Sequence, residues 1–193
     1  MKSLAGKISV IIVYAAVAAA CLAPNAAGAQ PMSVYSNQAQ GFSLDYPSDW
    51  VIAEQGGGAN FQLKLIDRQN ALLGFSIMVL RSDSAEKTMA FVLNNPASLV
   101  EQNKQKWGEV ARNMNGKLAF LGYDIVSVGS RGSLYCHARA SGVSQGEAIS
   151  LEFISYNTAY RDKAYLIMIG CDAADFGRLS GVFRTIMDSF RIF

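Results

Sequence analysis

Apolar and polar positions change period several times along this chain, and the changes outline its elements. Val34 to Ser36 reads as a short first strand. Phe42-Ser43-Leu44-Asp45-Tyr46 alternates apolar with polar, the signature of a half-buried strand. Pro47-Ser48-Asp49 then supplies a turn, and Trp50-Val51-Ile52 opens the next strand. Gly56-Gly57-Gly58 reads as a flexible loop, Phe61 to Leu65 alternates again, Asp67 to Asn70 is a turn, and Leu73 to Leu80 is a strongly apolar strand.

The period then becomes helical. Ser84 is placed to cap a segment running to Leu93. Asn95 is placed to cap a second, with Pro96 at its first position, where a missing N–H does no harm. Leu99, Val100, Asn103, Trp107, Val110 and Ala111 recur at near-helical spacing, and Asn115-Gly116 ends the segment. Late strands follow over Ala119–Val128 and Gly132–Ala140. Ala148–Tyr156 and Ala164–Cys171 form a hairpin whose turn is expected over Asn157–Asp162. A helix from about Asp172 to Met187, with Phe176, Leu179, Val182, Phe183 and Ile186 on its core face, closes the chain. Strands joined by short turns make an antiparallel sheet, and helices in two places need sheet faces to cover. The expected class is therefore α+β, a central antiparallel sheet sandwiched by helices.

The first 29 residues stand apart. Lys2 and Lys7 precede an uncharged apolar run from Ile8 to Ala23, Pro24 and Asn25 break it, and Ala27-Gly28-Ala29 is a small-x-small cleavage site. That order is a secretory signal peptide, and the run is short for spanning a bilayer. The expectation is signal peptide at 1–29 and one globular domain at 30–193, exported to the periplasm or secreted. Cys21 follows three alanines, so a lipoprotein anchored through Cys21 is the alternative. Membrane contact is expected only through that lipid or an uncleaved signal.

Composition narrows the function. Loss of residues 1–29 removes two lysines and no acid, leaving basic and acidic residues equal in number. Such a chain lacks the basic footprint that a phosphate backbone requires, which argues against nucleic acid. Cys136 and Cys171 are the cysteines left after cleavage, and an exported compartment permits a disulfide between them. If the intervening strand also lies between them in space, they sit two strand spacings apart, about 9.5 Å, beyond a disulfide's reach of about 7 Å. The bridge needs a strand order that makes them neighbours, or distortion at Cys171; otherwise they are two separate buried thiols.

Two segments carry a resemblance. Gly41-Phe42-Ser43-Leu44-Asp45-Tyr46-Pro47-Ser48-Asp49-Trp50 resembles the opening "GF-x-(I/L/V)-x-YP-x-x-W" of the PsbP/Mog1-like superfamily. Phe183 to Arg191 resembles its closing "F-x-x-I-x-x-SF" helix and strand. The resemblance implies a central antiparallel sheet between helices. It also implies a binding or assembly role, with bacterial envelope proteins of the DcrB and DUF1795 type as the nearest class.

No catalytic constellation accompanies it. His137, the one histidine, shares a strand face with Tyr135 and Arg139, but no Gly-x-Ser-x-Gly elbow is present. One histidine and two distant cysteines do not make a zinc site. Glu147 and Glu152 read as solvated surface charge, and Gly56-Gly57-Gly58 lacks the Lys and Ser/Thr of a phosphate loop. Tyr156, Tyr160 and Arg161 gather at the late hairpin turn, an aromatic–arginine composition typical of interface hot spots. The expected function is a non-catalytic exported binding module with a protein partner and no cofactor or metal, in envelope assembly, secretion or immunity. A hydrolase with a carboxylate site or a carrier of a lipid or small ligand is the alternative.

Overall fold

The computed structural model describes residues 31–57, 60–67 and 74–193. The signal, Cys21, the tip of the Gly56–Gly58 segment and most of the Asp67–Asn70 turn lie outside them. The described chain forms ten strands and three helices in two antiparallel sheets.

The small sheet holds β1 (Met32–Asn37), β2 (Phe42–Pro47) and β10 (Arg191–Ile192), in the order β1-β2-β10. The large sheet holds seven strands. They are β3 (Val51–Gly57), β4 (Asn60–Ile66), β5 (Gly74–Arg81), β6 (Lys117–Val128), β7 (Arg131–Ser144), β8 (Glu147–Tyr160) and β9 (Lys163–Asp172). Their order is β3-β4-β5-β9-β8-β7-β6. The helices are α1 (Ala85–Asn94), α2 (Ala97–Asn113) and α3 (Phe176–Ser189).

Strand alternation assigns the helices to faces. On β7, Leu134, Cys136 and Ala138 pack with Ala85, Met89, Val100 and Trp107 of α1 and α2. On β9, Tyr165, Ile167, Ile169 and Cys171 join Leu179, Phe183 and Ile186 of α3, together with the small sheet. Ile154 of β8 belongs to the α3 cluster and Phe153, one residue away, to the α1–α2 cluster. Successive side chains point to opposite faces, so α1–α2 and α3 lie on opposite sides of the sheet. Trp107 is 2% exposed and stacks on Phe153, with centroids 6.2 Å apart and planes 13° apart.

The strands β2 and β10, far apart in sequence, are locked together. Ile192 pairs with Phe42 and Arg191 with Ser43. The Phe42 ring, fully buried, stacks on Phe190 at 5.6 Å and 28°, and meets Tyr35, Phe61 and Tyr165. Ser189 Oγ accepts from the Asp45 N–H at 2.8 Å and donates to the Ile186 carbonyl at 2.7 Å. The opening and closing motifs are thus two halves of one packing unit. Trp50, 5% exposed, anchors the start of β3 in the same core.

Several local expectations shift. Ser84 occupies the N-cap position of α1 but makes no side-chain cap bond; its hydroxyl lies 3.1 Å from Ser82 Oγ instead. Asn95 closes α1, its N–H donating to the Phe91 and Val92 carbonyls, and Pro96 is the N-cap of α2. Asp175, not Asp172, caps α3 by position. The Asp172 carboxylate bonds instead to the Ala174 N–H at 2.8 Å. Gly56 and Gly57 are the last residues of β3 rather than a loop, with Gly56 at φ +78°, a backbone that favours glycine. The late hairpin continues to Tyr160 and turns at Arg161-Asp162, because Asn157, Thr158 and Ala159 all pair with β9.

Candidate functional site

The strand order separates the cysteines. Cys136 lies on β7 and Cys171 on β9, with β8 between them, and the two side chains belong to the clusters on opposite faces. Both are free and buried. The permitted disulfide does not form, because neither spacing nor direction allows it. Burial raises the Cys171 thiol to about 12, helped by the nearby Glu152, Asp175 and Asp172 carboxylates. Burial raises the Cys136 thiol as well, against a bond from Asn103 Nδ2 at 3.5 Å.

A reporter such as Ellman's reagent should therefore find neither thiol in the folded chain at pH 8, and both in strong denaturant. A folded-state thiol that reacts at once would contradict the packing. The linkage has a sign. Cys171 has a folded value above its ordinary 9.0, and Tyr165 above its ordinary 10.0, each reaching about 12. Their contribution to stability is complete below pH 9 and is lost as pH rises toward 12. Alkaline denaturation in that window, followed by circular dichroism, is the expected result.

Glu152 overturns the expectation of a solvated surface charge. It is 2% exposed, on the α3 face of β8. Register places it opposite Arg139 of β7 and Cys171 of β9. Its Oε1 accepts from His137 Nε2 at 2.6 Å and its Oε2 from Arg139 Nε at 2.7 Å. Phe176, at the first turn of α3, stacks on the His137 ring at 5.4 Å. Tyr135 stands 6.2 Å from the same ring, and burial, then Glu152, raises its hydroxyl. Glu147 is exposed, as expected of a surface charge. Among the described residues no hydroxyl or thiol bonds to His137, and the neighbouring Cys171 stays protonated at neutral pH. The arrangement orients an arginine and a histidine around a buried carboxylate. It supplies no activated nucleophile.

The patch expected at Tyr156, Tyr160 and Arg161 divides. Tyr156 is half-buried under α3, its ring 5.3 Å from Tyr135, and its hydroxyl is pushed up to about 12 by burial. Tyr160 and Arg161 do form a cluster, joined by Arg131 of β7. The guanidinium carbons of Arg131 and Arg161 lie 4.1 and 4.9 Å from the Tyr160 ring centre. Arg131 gave no sign of this in sequence, since it sits 29 residues from Tyr160 and meets it only through the β7–β8 pairing.

Two further surfaces were not anticipated. An open groove on the α1–α2 face is lined by Lys64, Ile66, Ser76, Phe153, Met168 and Gly170. The other is β6, a strand of twelve residues that, among the described residues, is an edge paired only with β7. A bulge after Phe120 breaks its register, and beyond it Leu121, Tyr123 and Ile125 are 49%, 51% and 48% exposed. Lys117 and Asp124 are the only charges on the strand. Exposed edges are usually blunted by charge, proline or a covering element, because their free N–H and C=O groups accept another strand.

Among the described residues no cluster of three metal-ligating side chains occurs, and no helix is long and apolar enough to cross a membrane. No family model matches the chain, and no curated protein matches it in sequence. Solved structures do. Cyanobacterial PsbP (CyanoP) from Synechocystis superposes with a TM-score of 0.65 at 12% identity, over 89% of this chain and 98% of that one. A protein from Bacteroides thetaiotaomicron gives 0.51 at 13% identity over 83% of this chain, which spans only 48% of that larger one. The yeast Ran-binding protein Mog1p gives 0.47 at 11% identity, over 85% of this chain and 96% of that one. Identities this low speak to architecture alone, and the architecture agrees with the two motifs locked together at Phe42 and Phe190: the chain has the PsbP/Mog1-like fold.

Proposed function

We propose that residues 30–193 form an exported, non-catalytic binding module, an α/β/α sandwich that engages a protein partner in envelope assembly, secretion or immunity. The leader-like sequence at 1–29 supports export to the periplasm or beyond, with a lipid on Cys21 as the anchored alternative. The observation that carries the binding reading is the open edge of β6. Its unpaired backbone and the half-exposed Leu121, Tyr123 and Ile125 suit addition of an extended segment from another protein.

The test is affinity capture from a cross-linked envelope extract with mass spectrometry. The parent is expected to bring down one dominant partner. Tyr123→Lys with Ile125→Lys, at exposed positions that leave the core intact, is expected to lose it. Capture of nothing by the parent overturns the binding reading, and a partner that survives both changes moves the interface off β6. The hydrolase alternative would have to use the His137–Glu152 pair, and it requires a substrate that the parent turns over and His137→Gln does not.

A further inference from the structure

Four cations gather at one end of the large sheet because antiparallel pairing brings four strand termini together there. Lys163, at the start of β9, pairs with Arg81 at the end of β5 and with Tyr160 at the end of β8. Arg161 follows Tyr160 in the turn, at φ +55°, and Arg131 starts β7. Lys163 Nζ and Arg81 Nη2 both donate to the Ala39 carbonyl, at 3.1 and 3.4 Å. Arg131 and Arg161 are exposed, and both lie against the one Tyr160 ring. Among the described residues none of the four is ion-paired; the salt bridges that form elsewhere engage Lys104, Arg112, His137, Arg139 and Arg178.

We infer that the Arg131–Tyr160–Arg161 stack is a docking point for acidic side chains of the protein partner. This rests on the binding reading and deepens it. The ring holds the two guanidinium groups in place through cation–π contact, so their flat forks of donors are set for carboxylates before anything binds. An anion there also relieves the repulsion of unpaired like charges. Aromatic and arginine side chains together are the composition of interface hot spots.

Charge pattern selects the class of anion. Asp162 lies in the same turn as Arg161, and Asp83 follows Ser82, whose N–H donates to the Asp162 carbonyl. Four cations against two carboxylates leave the patch net positive but with acids interspersed, a pattern that a uniformly negative surface, such as an anionic bilayer or a phosphate backbone, matches only in part. A peptide can place its acids opposite the arginines alone, the logic by which interspersed charge selects partners.

The experiment uses the full chain and a fluorescein-labelled twelve-residue peptide of alternating aspartate and glycine, with a lysine–glycine peptide as control. Fluorescence anisotropy is expected to show binding of the aspartate peptide only, weakening as salt is raised. Arg131→Ala with Arg161→Ala is expected to weaken it roughly tenfold with an unchanged melting curve, and Tyr160→Leu to weaken it less. Equal binding of both peptides, or aspartate-peptide binding untouched by the double change, overturns the inference. So does binding of the parent to phosphatidylserine–phosphatidylcholine vesicles without binding of the aspartate peptide, which would make the occupant a membrane. If the captured partner is retained by the double variant, the binding module stands and this docking point falls. If the parent captures no partner, the module itself falls.

Discussion

Phe42→Ala is expected to cost about 4 kcal/mol of folding stability, the scale for removing a fully buried aromatic ring and leaving a cavity. Phe42 is fully buried and touches four other rings, from β1, β4, β9 and the segment after α3. Domains are typically stable by only about 5–15 kcal/mol, and the variant should unfold at a markedly lower urea concentration. Ser189→Ala tests the polar half of the same lock. It leaves the Asp45 N–H without its acceptor and should cost about 1–2 kcal/mol. A Phe42→Ala chain within 1 kcal/mol of the parent would mean that β2 and β10 are not held together at this ring.

The second large effect is expected at Glu152. Glu152→Ala should cost about 2 kcal/mol, since it removes a buried carboxylate that bonds both His137 and the half-exposed Arg139. It strips the acceptor oxygens from both His137 and Arg139. Glu152→Gln keeps the shape and one acceptor oxygen and should cost less. Arg139→Ala in the Glu152→Ala background should add little, because the partner it served is already gone; this double-mutant cycle isolates the pair. Urea unfolding of the four chains gives the coupling directly. Additive losses would show that the carboxylate is solvated and the cluster incidental.

The Glu152 case shows where sequence reading stops. Ser150, Glu152, Ile154 and Tyr156 alternate with Ile149, Leu151 and Phe153, so the pattern places Glu152 on the same face as Ile154. It does not show whether that stretch of face is covered. Burial of Glu152 is decided by the first turn of α3, and its partners by the register of β7 against β8. The Tyr160 stack was half legible for the same reason. Tyr160 and Arg161 adjoin in sequence, whereas Arg131 arrives through the fold. Tyr156 lies away from that stack because the hairpin turn falls at Arg161-Asp162, four residues beyond the polar Asn157 and Thr158. Pairing with β9 overrides the local preference of those two residues for a loop.

By itself the sequence determined the α+β class, the helix stripe around Trp107, the alternation of each strand, and the opening and closing motifs. All follow from local periodicity and from residue types whose sterics or hydrogen bonding act over a few positions. The tertiary structure alone decided the strand order, and with it the separation of Cys136 from Cys171, the burial of Glu152, the meeting of Arg131 with Tyr160, and the exposure of β6 as an edge. Periodicity says which way a side chain points. Only pairing over long separations says what stands opposite it, because loop closure and competition among strands are settled by the whole chain.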